Sequence, residues 1–106
     1  MKNEFLENWH SQLRKGLLPL YVLLILYKKA CYGYELISYI KADFEIDVAE
    51  GTLYPLLIRL LKDGLLTHKW IEQPSGIPRK YYSISPAGKK NLKEMKAHTN
   101  TIFSKI

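Results

Sequence analysis

The segment from Asp47 to Gly64 constrains the fold of this chain more than any other. Leu53, Leu56, Leu57 and Leu60 recur at three- and four-residue steps, the spacing of one buried stripe on an α-helix. Thr52, Pro55, Arg59 and Lys62 are left for another face. Asp47 and Glu50 have the spacing of a capping box, in which Asp47 caps the helix and Glu50 reaches back to the N–H of Asp47. Gly64 supplies a C-terminal stop. Two short β patterns follow at once, Leu66 to Glu72 and Arg79 to Ile84, and Pro74-Ser75-Gly76-Ile77-Pro78 between them predicts a hairpin tip.

The elements before and after this unit read as helices. Phe5, Leu6, Trp9 and Leu13 give residues 3–13 a helical stripe that ends in an indole needing a partner. Arg14-Lys15-Gly16 interrupts that pattern. Leu17 to Lys29 then predicts a core helix apolar on nearly all sides, with Pro19 in its first turn, where a missing N–H costs least. Cys31-Tyr32-Gly33 punctuates, and Tyr34 to Ala42 predicts a third helix with Leu36, Ile37 and Ile40 inward. Ser85-Pro86 opens the last helix with a capping hydroxyl and a first-turn proline. Along it Gly88, Leu92, Met95, Thr99, Ile102 and Ile106 alternate four- and three-residue steps, a seam for another helix. The chain is therefore mainly α with one small β-hairpin, in the order of a winged helix-turn-helix. Its parts are an N-terminal helix (1–13), the winged domain (14–84) and a long C-terminal dimerisation helix (85–106).

Size and charge narrow the function. At 106 residues the chain builds one modest core, near the size at which dimerisation often completes it. Sixteen Lys and Arg against ten Asp and Glu give a net charge of +6, which attracts polyanions, nucleic acid first among them. The single cysteine, Cys31, excludes an intramolecular disulfide and any multi-cysteine zinc site within one chain. The run Leu17–Tyr27 is too short to span a bilayer, and no apolar signal core follows the initial Met1-Lys2-Asn3-Glu4. A cytoplasmic protein without membrane contact is expected.

Several blocks together resemble the PadR family of bacterial transcriptional regulators. They are Arg14-Lys15-Gly16; Tyr32-Gly33-Tyr34-Glu35-Leu36; Gly51-Thr52-Leu53-Tyr54-Pro55-Leu56-Leu57 with Arg59-Leu60; Asp63-Gly64-Leu65-Leu66; and Pro78-Arg79-Lys80-Tyr81-Tyr82 with Gly88. The similarity covers residues 14–92, in the order and approximate spacing of the family. It departs at Leu61, where the family often carries an acidic residue, and at Ser85, where it often carries threonine. The resemblance implies a homodimer held by its N- and C-terminal helices, usually a repressor, and the short length matches the branch with a single C-terminal helix.

On this reading the N-terminal turn of the helix 48–63 enters the major groove, where side chains distinguish all four base pairs. Ala49, Glu50, Gly51 and Thr52 lie nearest the base edges, while Tyr54 and Arg59 suit phosphates. Glu50 has two readings, as a capping-box member or as an acceptor for a cytosine amino group. Arg79 and Lys80 are the wing candidates for phosphate or minor groove; Lys15 and the hydroxyl of Tyr34 are further backbone candidates. Asp43, Glu45 and Asp47 make the neighbourhood acidic, so basic compensation has to come from elsewhere. Phe5, Trp9, Leu92, Met95, Thr99, Ile102, Phe103 and Ile106 form the candidate dimer contact. Trp9, Met95 and Phe103 either pack that interface or line a hydrophobic cavity for a flat aromatic or cationic effector, held by stacking and cation–π contact.

Lys89, Lys90, Lys93 and Lys96 read as a solvated helix face. Cys31 reads as a small core residue rather than a thiol sensor. His10, His68 and His98 lack metal-ligand spacing, and no catalytic triad, phosphate loop or carboxylate pair is present, so neither an enzyme nor a cofactor is expected. The expected partners are double-stranded DNA carrying a pseudo-palindromic operator, a second copy of the chain, and a small aromatic effector. The rival reading is a winged helix that docks onto proteins without specific DNA binding.

Overall fold

The computed structural model describes residues 2–106. Four helices and one antiparallel hairpin run in the order α1 (Glu4–Lys28), α2 (Gly33–Phe44), α3 (Glu50–Lys62), β1 (Leu66–Ile71), β2 (Arg79–Ile84) and α4 (Pro86–Ser104). This is the mainly helical, winged architecture expected from the sequence.

The N-terminal third differs from its sequence reading. α1 is one continuous helix of 25 residues, and neither Arg14-Lys15-Gly16 nor Pro19 breaks it. The proline removes one backbone hydrogen bond and crowds the preceding turn, a cost of about 3 kcal/mol in a helix interior. Packing outweighs that cost, since Leu18, Leu20, Val22, Leu23, Ile25 and Leu26 are all buried in the shared core. Asn3 caps the start, its Oδ1 accepting from the Leu6 N–H at 3.0 Å.

α2 begins one residue earlier than its pattern indicates. The Tyr32 N–H donates to Glu35 Oε1 at 3.2 Å, which satisfies a donor ahead of the first turn. Leu36 and Ile40 are fully buried against α1 and α3. At the far end the Phe44 ring stacks on Tyr21 of α1, centroids 4.1 Å apart.

The hairpin pairs Leu66 with Ile84 through Ile71 with Arg79. A backbone bridge joins its inner strand to the α1–α2 connection: the Tyr82 N–H donates to the Cys31 carbonyl at 2.8 Å, and the Cys31 N–H donates to the Tyr82 carbonyl at 3.1 Å. Buried Ser85 ties three elements at the hairpin base. Its Oγ donates to the Gly64 carbonyl at 2.6 Å, and the same oxygen accepts from the Gly88 N–H at 3.0 Å, capping α4.

The α4 seam divides in two. Gly88 is pressed against the Leu65 carbonyl, where a Cβ would also fall 2.7 Å from Ile84 Cγ1. Leu92 is only 3% exposed and Met95 packs on the same core. The first turns of the seam are therefore spent inside the protomer. Leu92 belongs to the protomer core and is not available to a partner, contrary to its place in the predicted dimer contact.

Candidate nucleic-acid interface

The buried stripe of α3 is Leu53, Leu57 and Leu60, with Leu56 half-buried beside it. Pinning that stripe to the core turns Glu50, Gly51, Thr52, Pro55 and Arg59 outward. The expected capping box is absent. Ala49 occupies the N-cap with no side-chain hydrogen bond, and its carbonyl accepts from the N–H groups of Thr52 and Leu53, both at 3.0 Å. Asp47 lies two residues ahead of the cap and instead meets Lys41 Nζ at 3.1 Å. The first turn of α3 is thus exposed and uncapped, with the positive end of its dipole facing solvent.

Glu50, released from capping, sits by two phenols. Its carboxylate raises the pKa of Tyr34, as hydrogen-bond acceptor and as a negative charge. Tyr54 is also raised, first by burial and then by the charge of Glu50. Both phenols therefore stay protonated near neutral pH and can donate. The acidity noted in the sequence is softened locally at Asp47, which Lys41 faces.

A cleft of about 690 Å³ opens where the start of α2, the middle of α3 and the hairpin meet. Tyr34, Tyr54, Arg79 and Lys80, nominated from three separate stretches of sequence, all line it. The Arg79 guanidinium lies 4.4 Å from the Tyr32 ring centroid. Lys80 Nζ lies 5.8 Å from the Trp70 ring and 5.5 Å from that of Tyr82. These contacts hold the two cations over aromatic faces, and among the described residues neither has a carboxylate partner. A smaller cleft of about 230 Å³ lies beside the start of α3 and brings Lys15 together with Ala49 and Thr52. Lys15 thus lies beside the start of α3, while Arg79 and Lys80 line the cleft along Tyr54 and Ile58 farther down the same helix. Arg59 is exposed and lines neither cleft.

Sequence reasoning passed over Trp70 and Ile58, which share the larger cleft, and Arg14, which shares the smaller one. Trp70 is 59% exposed on a strand otherwise rich in polar groups. That single large exposed ring was the available signal. Ile58 gives none, because an isoleucine beside a leucine stripe reads as core.

The terminal helices leave apolar groups uncovered. Phe5 is 79% exposed, Phe103 62% and Ile106 95%, with Leu6, Trp9, Leu13 and Ile102 also open. Thr99 is half-buried and donates to the Met95 carbonyl within its own helix at 2.8 Å. Among the described residues no helix is long and apolar enough to cross a membrane.

Comparison with known proteins agrees with this fold. The model of the transcriptional regulator PadR-like family matches residues 22–94. An uncharacterized protein of Lysinibacillus sphaericus is 31% identical over 87 residues, 80% of each chain. A PadR-like transcription factor of Bacteroides fragilis is 40% identical, with a TM-score of 0.79 over 92% of this chain and 94% of that one. A PadR family regulator of Eggerthella lenta is 35% identical, with a TM-score of 0.84 over 95% of this chain and 88% of that one. A PadR-like regulator of Bacillus cereus is 35% identical, with a TM-score of 0.77 over 89% and 91% of the two chains.

Proposed function

This chain belongs to the transcriptional regulator PadR-like family, and from that premise we propose that it is a homodimeric repressor acting in the cytoplasm on a pseudo-palindromic operator. It is a DNA-binding regulator rather than an enzyme. The finer reading rests chiefly on one observation: α2, α3 and the hairpin converge on one cleft that carries Tyr34, Tyr54, Arg79 and Lys80 beside the exposed first turn of α3. Arg79, Lys80, Lys15 and Arg59 contact phosphates and supply most of the affinity, which falls as salt rises. Ala49, Glu50, Gly51 and Thr52 reach base edges. Glu50 reads rather than caps, because the N-cap is Ala49 and the Glu50 carboxylate faces the Tyr34 hydroxyl; its natural partner is a cytosine amino group.

Dimerisation follows from the apolar groups left open at both chain ends. Phe5, Trp9, Ile102, Phe103 and Ile106 are all at least 49% exposed, and large apolar groups left open together mark interaction sites. Pairing α1 and α4 with a second copy covers them and sets the two α3 helices one DNA turn apart, about 34 Å. A flat aromatic molecule seated among Trp9, Met95 and Phe103 would alter that separation and release the operator.

The test is binding of the purified protein to DNA from upstream of its own gene, against a shuffled fragment, over a salt series. Preference for the native fragment, with affinity falling steeply with salt, is expected. Absence of binding at low salt would instead favour docking onto a protein partner.

A further inference from the structure

The two cations of the hairpin rest on rings from different parts of the fold. Lys80 is near Trp70 and Tyr82, both in the hairpin itself. Arg79 lies over Tyr32, which belongs to the α1–α2 connection. The backbone around Tyr32 is fixed on both sides. Its neighbour Cys31 is bridged to Tyr82 by two backbone hydrogen bonds, its own N–H donates to Glu35 Oε1, and its carbonyl accepts from the Leu36 N–H at 3.1 Å. The half-buried ring also meets Tyr81 of β2 edge to face, centroids 5.3 Å apart at 71°. Glu35 is engaged by Lys29 Nζ at 3.6 Å, so the carboxylate that holds the Tyr32 backbone pairs with a different cation. Arg79 is exposed and follows the Pro74–Pro78 tip directly.

We propose that Tyr32 is a positioning residue for DNA binding: its ring holds the Arg79 guanidinium against the helical body, in the pose from which Arg79 meets a phosphate. An arginine free in solvent loses rotamer freedom when it docks on a phosphate, and that loss weakens binding. A guanidinium already resting on a ring has given up part of that freedom before DNA arrives. The contact uses the charge of the cation and the face of the ring, and it leaves guanidinium N–H groups free to donate. It also registers the hairpin. The cation beside the hairpin tip is referenced to the start of α2, where Gly33 receives the Tyr54 ring of α3. Tyr32 acts through Arg79 and need touch no DNA. Its effect on binding rests on the assignment of Arg79 to phosphate above; its restraint of Arg79 in the free protein does not.

Two measurements test the restraint and its use separately. The chain's arginines are Arg14, Arg59 and Arg79, so their Nε–H resonances can be assigned by substitution. In the free protein the Arg79 signal should show a ring-current shift and restricted motion relative to Arg59, which lines neither cleft. Both features should vanish in Tyr32→Leu and persist in Tyr32→Phe. An Arg79 side chain as mobile as Arg59 in the unaltered protein overturns the proposal, whether or not Tyr32→Leu folds. The second measurement is a double-mutant cycle on affinity for DNA from upstream of the gene. Tyr32→Leu should weaken binding about two- to fivefold, as expected for an exposed cation–π contact, and Tyr32→Phe should bind like the unaltered protein. In an Arg79→Ala background Tyr32→Leu should leave affinity unchanged, because the ring then has no cation to hold. Equal losses in the two backgrounds would give the ring a role apart from Arg79 and overturn the proposal. A Tyr32→Phe loss as large as that of Tyr32→Leu would do the same, by pointing to the hydroxyl. Tighter binding by Tyr32→Leu would show that Arg79 must leave the ring to reach DNA, the reverse of positioning. A restrained Arg79 whose removal leaves DNA binding unaltered would keep the contact, deny it any part in binding, and refute the phosphate assignment of Arg79 as well.

Discussion

The Tyr54 ring of α3 lies flush against the backbone of Gly33, at the first turn of α2. A Cβ at position 33 would fall 2.7 Å from Tyr54 Cζ and 2.9 Å from its Cε1, closer than real Cβ contacts come. The Tyr-Gly-Tyr block and the Gly-Thr-Leu-Tyr block are therefore two halves of one joint, in which an absent side chain admits a ring. The joint sets how α2 and α3 pack and so the pose of the exposed face of α3.

Gly33→Ala should accordingly destabilise the fold by about 1–3 kcal/mol, the usual cost of overpacking. Urea unfolding reads that loss. In a Tyr54→Ala background the same change should cost almost nothing, or gain slightly, because Ala is the better helix residue once the ring is gone. Equal costs in the two backgrounds would mean that the ring is not what excludes a side chain.

Glu45 ends α2 at φ 58°, the left-handed region that favours glycine. Glu45→Gly removes the Cβ crowding there and should raise stability by about 0.5–1 kcal/mol, some 4 °C in a domain of this size. Calorimetry decides it; a lower melting temperature would show that the Glu45 side chain contributes more than its backbone costs.

Cys31 is completely buried, and burial first, with the nearby Glu35 charge second, pushes its pKa from 9.0 to about 11, against the opposing charge of Lys29. The folded state thus holds this proton more tightly than the unfolded chain. Stability from the neutral thiol is full below pH 9 and is lost as pH rises toward 11. Tyr34, Tyr54 and Tyr82, also raised, steepen the decline above pH 10. Cys31→Ala should flatten the slope between pH 9 and 11 in urea midpoints, and maleimide should label the native protein slowly at pH 7. Rapid native labelling would contradict a sealed thiol.

Much of this was legible in the sequence, for identifiable reasons. α3, the hairpin and α4 carry their own punctuation in Gly64, the Pro74–Pro78 tip and Ser85-Pro86, and local signals suffice where they agree with packing. The break at Arg14-Lys15-Gly16 failed because the core stripe Leu18–Leu26 outweighs local propensity. The capping box failed because Asp47 lies too far from the first turn and finds Lys41 instead. The α4 seam was read as one surface, although Gly88 and Leu92 turn inward only because the Leu65 carbonyl and Ile84 are there to receive them. The cleft of Trp70, Ile58 and Lys80 joins residues up to 22 positions apart in sequence, and periodicity carries no such information.

The division of α4 separates two substitutions that sequence treats alike. Leu92→Asp places a charge in the protomer core and should unfold the chain, seen as loss of far-UV circular dichroism. Phe103→Asp lies on the open end and should keep the helical spectrum while shifting sedimentation from dimer to monomer. A folded Phe103→Asp protein that remains fully dimeric would remove the C-terminal end of α4 from the interface.

The most direct test of DNA recognition compares affinity and sequence discrimination for Arg79→Ala/Lys80→Ala and Glu50→Gln/Thr52→Ala proteins, each over a salt series on native and shuffled upstream DNA. The hairpin pair should lose affinity for both fragments alike, with the log–log salt slope falling by about one per phosphate contact removed. The α3 pair should keep its salt slope and lose about 1–3 kcal/mol of discrimination for each base contact broken. Hairpin and α3 variants that bind both fragments as the unaltered protein does would contradict the assignment of this surface to DNA.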